Sequence, residues 1–298
     1  MAEKQAEKRQ ERRLAGQVAL VTGASRGGGR GIALALGEEW ATVYLTGRSV
    51  RGGPTTEDQP ETVDETAELV SARGGLGIAV RCDHTADADV EALFDRIQQE
   101  QGQLDLLVNN VWGGYERYDG ADFDAPFWDQ PLWRWDRMFD AGVRAHFTAS
   151  RLAAPLMIDR RKGLMINTTF WDRGKCLSGL PYDLAKTAIN RLAYAMSLEL
   201  RAHNIAAVAL SPGWMRTEAV LRAYETDEEH WHEIPDLQRT ESTQYIGRAV
   251  AALAADPKVM EKSGHILTVG DLAREYGFTD YDGRQPPAYR MAEDYLKD

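Results

Sequence analysis

At 298 residues and 43% hydrophobic composition, the chain is long enough to bury one large α/β core, and no Ser/Gly/Pro-rich linker divides it. Its formal net charge of -11 argues against nucleic acid as a general partner, because neutralising phosphates needs an excess of Lys and Arg. Cys82 and Cys176 stand far apart without CxxC spacing, the histidines lack metal-ligand spacing, and no apolar run reaches about 18 residues. This pattern speaks against a disulfide framework, a zinc site and a membrane span, and the expected location is the cytoplasm.

In chain order, the first 14 residues, MAEKQAEKRQERRL, alternate in charge and are expected to fray or form an exposed helix; residues 1–15 read as a flexible extension. From residue 17, short apolar runs follow one another: QVALV (17–21), TVYLT (42–46), GIAVR (77–81), LDLLV (104–108), GLMIN (163–167), IAAVAL (205–210) and HILTV (265–269). Runs so short and so continuously apolar read as strands buried on both faces. Helical spacing fills the gaps. Val90, Leu93, Phe94 and Ile97 form one stripe closed by Gly102, and Leu184, Ala188, Ile189, Leu192 and Met196 form another. A longer helix is expected over 134–158, its stripe marked by Trp135, Met138, Phe139, Val143, Phe147 and Leu156, with Pro155 bending or ending it. Strands alternating with helices imply right-handed crossovers. The expected architecture is a doubly wound α/β fold of Rossmann type, a seven-stranded mostly parallel sheet with helices on both faces, forming a single dinucleotide-binding domain. Ligands bind such a sheet at the carboxyl ends of its strands, where the irregular stretches 49–60, 111–133 and 214–245 lie. Residues 271–298 read as a C-terminal extension.

Three patterns carry chemistry. VTGASRGGGRGIA follows the first strand and opens a helix, with Gly23, Gly27 and Gly29 spaced TGxxxGxG. Glycines let backbone N–H groups approach a pyrophosphate at the positive end of a helix, so Gly23, Ser25, Arg26, Gly27, Gly28 and Gly29 are candidate contacts. The second strand ends TGRS, where an acid holding a ribose 2′-hydroxyl is missing and Arg48 stands instead. Arg48 and Arg26 together suit a 2′-phosphate through charge-assisted hydrogen bonds. Finally, YDLAK sets Tyr182 and Lys186 on one helix face, about 6 Å apart along the axis. The ammonium is expected to favour the phenolate and bring the phenol toward a pKa useful for proton transfer.

With these motifs in order, the chain over about residues 17–270 resembles the short-chain dehydrogenase/reductase family. TGASRGGGRG resembles the family's TGxxxGxG, Asp83 its adenine-side acid, NNVW (109–112) its NNAG, YDLAK its YxxxK, and PGWMRT (212–217) the stretch shaping the nicotinamide side. NNVWGG, DAGVRAHF (140–147) and the run from Ser263 to Pro286 further resemble one subgroup. The resemblance implies an oxidoreductase in which Tyr182 is the general acid/base, while Lys186 lowers its pKa and holds the nicotinamide ribose. It also places Asp83, His84, Asn109, Pro212, Gly213, Met215 and Thr217 against the cofactor. The family's catalytic serine lies about thirteen residues before the tyrosine, which points to Thr169; strand alignment admits Phe170 at that place, and Thr168 is a further candidate.

Two positions depart from the family. Gly142 stands where a catalytic asparagine supports a water beside the lysine, and Trp112 replaces a glycine in NNVW. Gly142 is expected to kink its helix and leave a backbone carbonyl for the water, while the indole either narrows the floor of the site or packs under the loop. Rings are dense after the strands: Trp112, Tyr115, Phe123, Phe127, Trp128, Trp133, Phe170, Trp171 and Trp214. Few cations accompany them, with Arg117, Arg173, Lys175 and Arg216 the exceptions. The expectation is an NADPH-dependent enzyme, NADH being second choice, that reduces an apolar carbonyl compound or oxidises its alcohol and assembles as a homotetramer or homodimer. The alternative is a dinucleotide-binding sensor or scaffold with little turnover.

Overall fold

The computed structural model describes residues 12–116 and 122–291. Seven strands, β1 (Val18–Thr22), β2 (Thr42–Gly47), β3 (Leu76–Arg81), β4 (Leu106–Asn109), β5 (Gly163–Thr168), β6 (Ile205–Ser211) and β7 (Ile266–Thr268), form one sheet in the order β3-β2-β1-β4-β5-β6-β7. Every neighbouring pair is parallel. The order reverses between β1 and β4, which opens a crevice at their carboxyl ends.

The continuous apolar runs have a simple cause. Along β1, Val18 and Leu20 face a core with Leu93, Ile97 and Met157, while Ala19 and Val21 face another with Ile32, Leu36 and Val250. Side chains alternate with period two, so a strand covered on both faces must be apolar at every position. Full burial of a Leu or Ile contributes about 1.5–3 kcal/mol.

The helices are α1 (Gly27–Glu38), α2 (Val63–Ala72), α3 (Asp87–Gln101), α4 (Leu132–Met138), α5 (Ala145–Ile158), α6 (Leu180–Leu200), α7 (Glu218–Ala223), α8 (Thr243–Ala255) and α9 (Val269–Tyr276). The long helix expected over 134–158 is present, yet its irregularity is a π-helical stretch at Phe139–Arg144 containing Gly142, which joins α4 to α5. Pro155 sits inside α5, which runs three residues beyond it to Ile158. A π turn frees backbone groups from the regular ladder and is common beside functional sites.

At the amino end, residues 1–11 lie outside the described residues. Residues 12–15 are a packed turn rather than a flexible arm: Leu14 is buried and the Arg12 guanidinium lies 3.8 Å from the Trp40 ring centroid. Between β6 and β7, Met215–Arg216 pairs in parallel with Glu241–Ser242 and closes a loop around its own cluster of Leu221, Trp231 and Leu237. Among the described residues no helix is long and apolar enough to cross a membrane.

Candidate active site

The glycine-rich turn is built by close backbone approach. Gly23 and Gly27 lie in the left-handed region, at φ +67° and +58°, and a Cβ at Gly29 would fall 2.1 Å from the Gly23 carbonyl oxygen. Only glycine fits there. Asn110 stitches the turn to β4 by donating to the carbonyls of Thr22 (3.2 Å) and Gly23 (3.0 Å). The Gly27 N–H, at the start of α1, donates to Oε2 of Glu218 at 2.8 Å. An anionic oxygen already rests on the positive helix end, so the cradle fits the charge and hydrogen-bonding needs of a pyrophosphate.

Asn109 requires a correction. Its side chain is fully buried and donates to Ser150 Oγ (2.9 Å) and Asn167 Oδ1 (3.0 Å), tying β4 to α5 and β5 instead of facing a ligand. The neighbouring Asn110, in the same NN dipeptide, makes the contact with the cradle. His84 is corrected likewise: it is buried, its Nε2 lies 2.7 Å from Thr46 Oγ1, and burial pushes its pKa down to about 4. It is a neutral strut under the end of β2. Asp83 accepts from the Thr85 N–H (3.0 Å) and hydroxyl (2.7 Å), which hold its carboxyl below the usual range against the opposing effect of burial.

Neither arginine of the expected phosphate site is without a partner. Arg26 donates to the Thr56 carbonyl at 3.1 Å and pairs with Glu57 at 3.4 Å, and Arg48 pairs closely with Glu116. Arg137 also reaches Glu116, at 3.6 Å. A 2′-phosphate would therefore exchange one anion for another. On the opposite side Met215 packs on Gly28, whose added Cβ would lie 3.3 Å from its sulfur, and the Thr217 hydroxyl caps α7 by accepting from Val220 N–H at 3.3 Å. Gly213 abuts Glu241, and Pro212 is buried next to it. Ser25 is half-buried within the turn.

Tyr182 and Lys186, one turn apart on α6, are both buried. The Lys186 ammonium lies 5.5 Å from the Tyr182 ring centroid and 3.6 Å from the Trp112 ring centroid. The expected electrostatic balance is reversed in this state. Burial first, and then the phenol of Tyr115, hold Tyr182 well above its ordinary pKa, while burial pushes Lys186 down to about 7. Desolvation of both groups outweighs the attraction that their spacing suggests. His146, beneath them, donates from Nε2 to the Val111 carbonyl at 3.2 Å, and burial, with Lys186 adding to it, pushes its pKa down to about 3.

Thr169 comes to the base of the site, but its hydroxyl faces the backbone, 3.3 Å from the Lys186 carbonyl. The ring of Phe170 takes the place beside Tyr182, with centroids 6.5 Å apart. The phenol that does face Tyr182 belongs to Tyr115 in the loop after β4, with ring centroids also 6.5 Å apart.

Of the expected aromatic rim, Trp112, Tyr115, Phe123 and Phe170 surround Tyr182. Trp214 instead joins Tyr224 over the 217–240 loop, and Phe127 and Trp128 are exposed. Arg216 is stacked on Trp231 at 3.7 Å and Lys175 faces Asp172 at 3.8 Å, so neither is free for a substrate anion; Arg117 lies outside the described residues. The C-terminal extension adds a wall that periodicity did not signal. Tyr289 packs on Phe170 at 5.3 Å, and the Met291 N–H donates to the fully buried Asp172 at 2.8 Å.

Known proteins share this fold. The sequence model of the family described as short chain dehydrogenase matches residues 17–228. Dehydrogenase/reductase SDR family member 1 of Mus musculus is 38% identical over 280 residues, covering 92% of this chain and 86% of that protein. A solved structure of 7 alpha-hydroxysteroid dehydrogenase, complexed with NADH and 7-oxo glycochenodeoxycholic acid, superposes with a TM-score of 0.70 at 25% identity, covering 92% of this chain and 97% of that one. A metagenomic short-chain oxidoreductase in complex with NADP superposes with a TM-score of 0.67 at 25% identity, covering 86% and 97%.

Proposed function

The chain belongs to the short-chain dehydrogenase/reductase family, and on that premise we propose that it is an NADPH-dependent reductase of apolar carbonyl compounds, or a dehydrogenase of their alcohols. The observation that carries this reading is the buried Tyr182–Lys186 pair among packed rings, at the same carboxyl end of the sheet as the glycine cradle.

The bound dinucleotide supplies or takes the hydride. The protein's own residues bind, orient and move the proton. The glycine turn of residues 23–29 holds the pyrophosphate, with Glu218 leaving the Gly27 N–H to admit it. Arg48 and Arg26 hold the 2′-phosphate in exchange for Glu116 and Glu57. Tyr182 donates its proton to the carbonyl oxygen as it gains charge, and a phenol held protonated is ready for the reductive direction. Tyr115, facing the same point, offers a second hydroxyl to that oxygen, the part first sought at Thr169. Rings around Tyr182 exclude water and favour a flat or bulky apolar substrate.

The test is a panel of aromatic aldehydes and ketones against small keto acids, followed at the nicotinamide absorbance with NADPH and NADH. Faster turnover of the apolar compounds with NADPH is expected. Preference for the keto acids, or for NADH, would overturn the corresponding half of the proposal.

A further inference from the structure

The two positions at which the chain departs from its family's pattern meet in space. A Cβ on Gly142 would lie 2.8 Å from Cζ3 and 2.9 Å from Cε3 of Trp112, and one on Gly114 would lie 2.7 Å from Cζ2 of the same indole. The ring is thus held between two glycines. Its face carries the Lys186 ammonium at 3.6 Å, and the Tyr182 ring meets it at 86° with centroids 5.6 Å apart. A side chain at 142 would force the indole at 112 to shift. The π turn around Gly142 gives the backbone its path past the ring.

From this geometry we infer that Trp112 and Gly142 are one positioning pair: the indole fills the volume a side chain at 142 would take and holds the Lys186 ammonium on its ring face. The lysine is then oriented by a cation–π contact, where an amide-held water would otherwise serve. The indole N–H is buried without a hydrogen-bond partner, so the contribution of Trp112 is its ring face and its volume. The inference deepens the proposed function, since it concerns how Lys186 is placed for Tyr182 and for the nucleotide.

The test is a cycle of four proteins, wild type, Gly142→Asn, Trp112→Gly and the double variant, read by melting temperature and by NADPH affinity from its fluorescence. Each single variant is expected to weaken NADPH binding at least tenfold and to lower the melting temperature. The double variant is expected to regain affinity to within about threefold of wild type. Additive losses, or a neutral Gly142→Asn, would overturn the pairing. Should the first of these fail to fold, Trp112→Phe and Trp112→Leu carry the same question, because both leave position 142 alone and only one keeps a ring face. Phe should stay within threefold of wild type in NADPH affinity, while Leu should lose tenfold and shift the pH midpoint of NADPH binding downward. Equal behaviour of the two would refute the role of the ring face. None of these readouts needs a substrate, so loss of the proposed carbonyl activity with the cycle intact would fault only the function, and an absent cycle in an active enzyme would fault only the pair.

Discussion

Tyr182 shows how far a residue's neighbours can redirect its chemistry. The spacing to Lys186 suggests an activated phenolate, whereas burial beside Tyr115, Phe123 and Phe170 keeps the phenol protonated. Tyr182→Phe should lower turnover by roughly 10²–10⁴-fold, as expected of positioned acid catalysis, with NADPH affinity little changed. Tyr115→Phe should cost about 10-fold or more in kcat, and Thr169→Val should stay within a few-fold, because its hydroxyl serves the Lys186 carbonyl. The reverse order of these two losses would return the second hydroxyl to Thr169. Lys186 gives a stability signature. With its folded pKa near 7 and its unfolded pKa near 10.5, the unfolded chain binds the extra proton between those values, so stability rises with pH across that window. Each pKa unit is worth about 1.4 kcal/mol, and the indole contact, worth about 2 kcal/mol when desolvated, offsets part of the cost. Lys186→Met should therefore be more stable than wild type at pH 7, with the gap closing toward pH 10 in denaturant melts.

At the scale of elements, the Glu218 carboxylate at the start of α7 would compete with a pyrophosphate for the first turn of α1. Glu218 sits where its carboxylate accepts the Gly27 N–H, and Glu116 likewise occupies Arg48. Helix-end attraction for an anion is worth about 0.3–1 kcal/mol when exposed and up to about 2 kcal/mol when partly buried. Glu218→Gln should strengthen binding of NADPH and NADH alike by several-fold, measured by fluorescence titration. Glu116→Gln should strengthen NADPH alone, because only its 2′-phosphate needs Arg48. If Glu116→Gln favoured NADH equally, the assignment of Arg48 to the phosphate would fall. Neither glutamate was visible as a rival in the sequence, since Gly27 and Glu218 are brought together only by the crossing from β6.

For the whole molecule, the C-terminal extension matters more than its irregular sequence suggests. Asp280 accepts from the Ser242 N–H at 2.8 Å and anchors the tail beside Glu241, and Tyr289 and Met291 then reach the site. Burial first, and then Asp280, push Glu241 up to about 8 against the Gly213 N–H. A carboxyl with a raised folded pKa contributes most below its unfolded value near 4.5 and loses that contribution as pH climbs through 8. Wild type should therefore lose stability relative to Glu241→Gln between pH 4.5 and 8, with a level difference above; parallel curves would mean that Glu241 is ionised throughout. The apolar faces left at Phe147, Leu184 and Leu198 are proposed to be covered in a homo-oligomer, which light scattering can check.

The sequence alone determined the doubly wound sheet and its strand positions, because a strand buried on both faces must be apolar at every residue and its period cannot be hidden. It also determined the glycine cradle, where the backbone approaches itself too closely for a Cβ, and the Tyr182–Lys186 pair, which one helical turn fixes locally. The tertiary structure decided everything that depends on contacts between distant segments. Asn110 rather than Asn109 holds the cradle, the Thr169 hydroxyl turns to α6 while the Tyr115 phenol faces Tyr182, and the tail packs on Phe170 beside them. Local spacing states which residues share a face. It carries no information on which of two adjacent side chains points inward at a strand end, nor on the desolvation that sets a buried group's pKa, and both follow only from what packs against them.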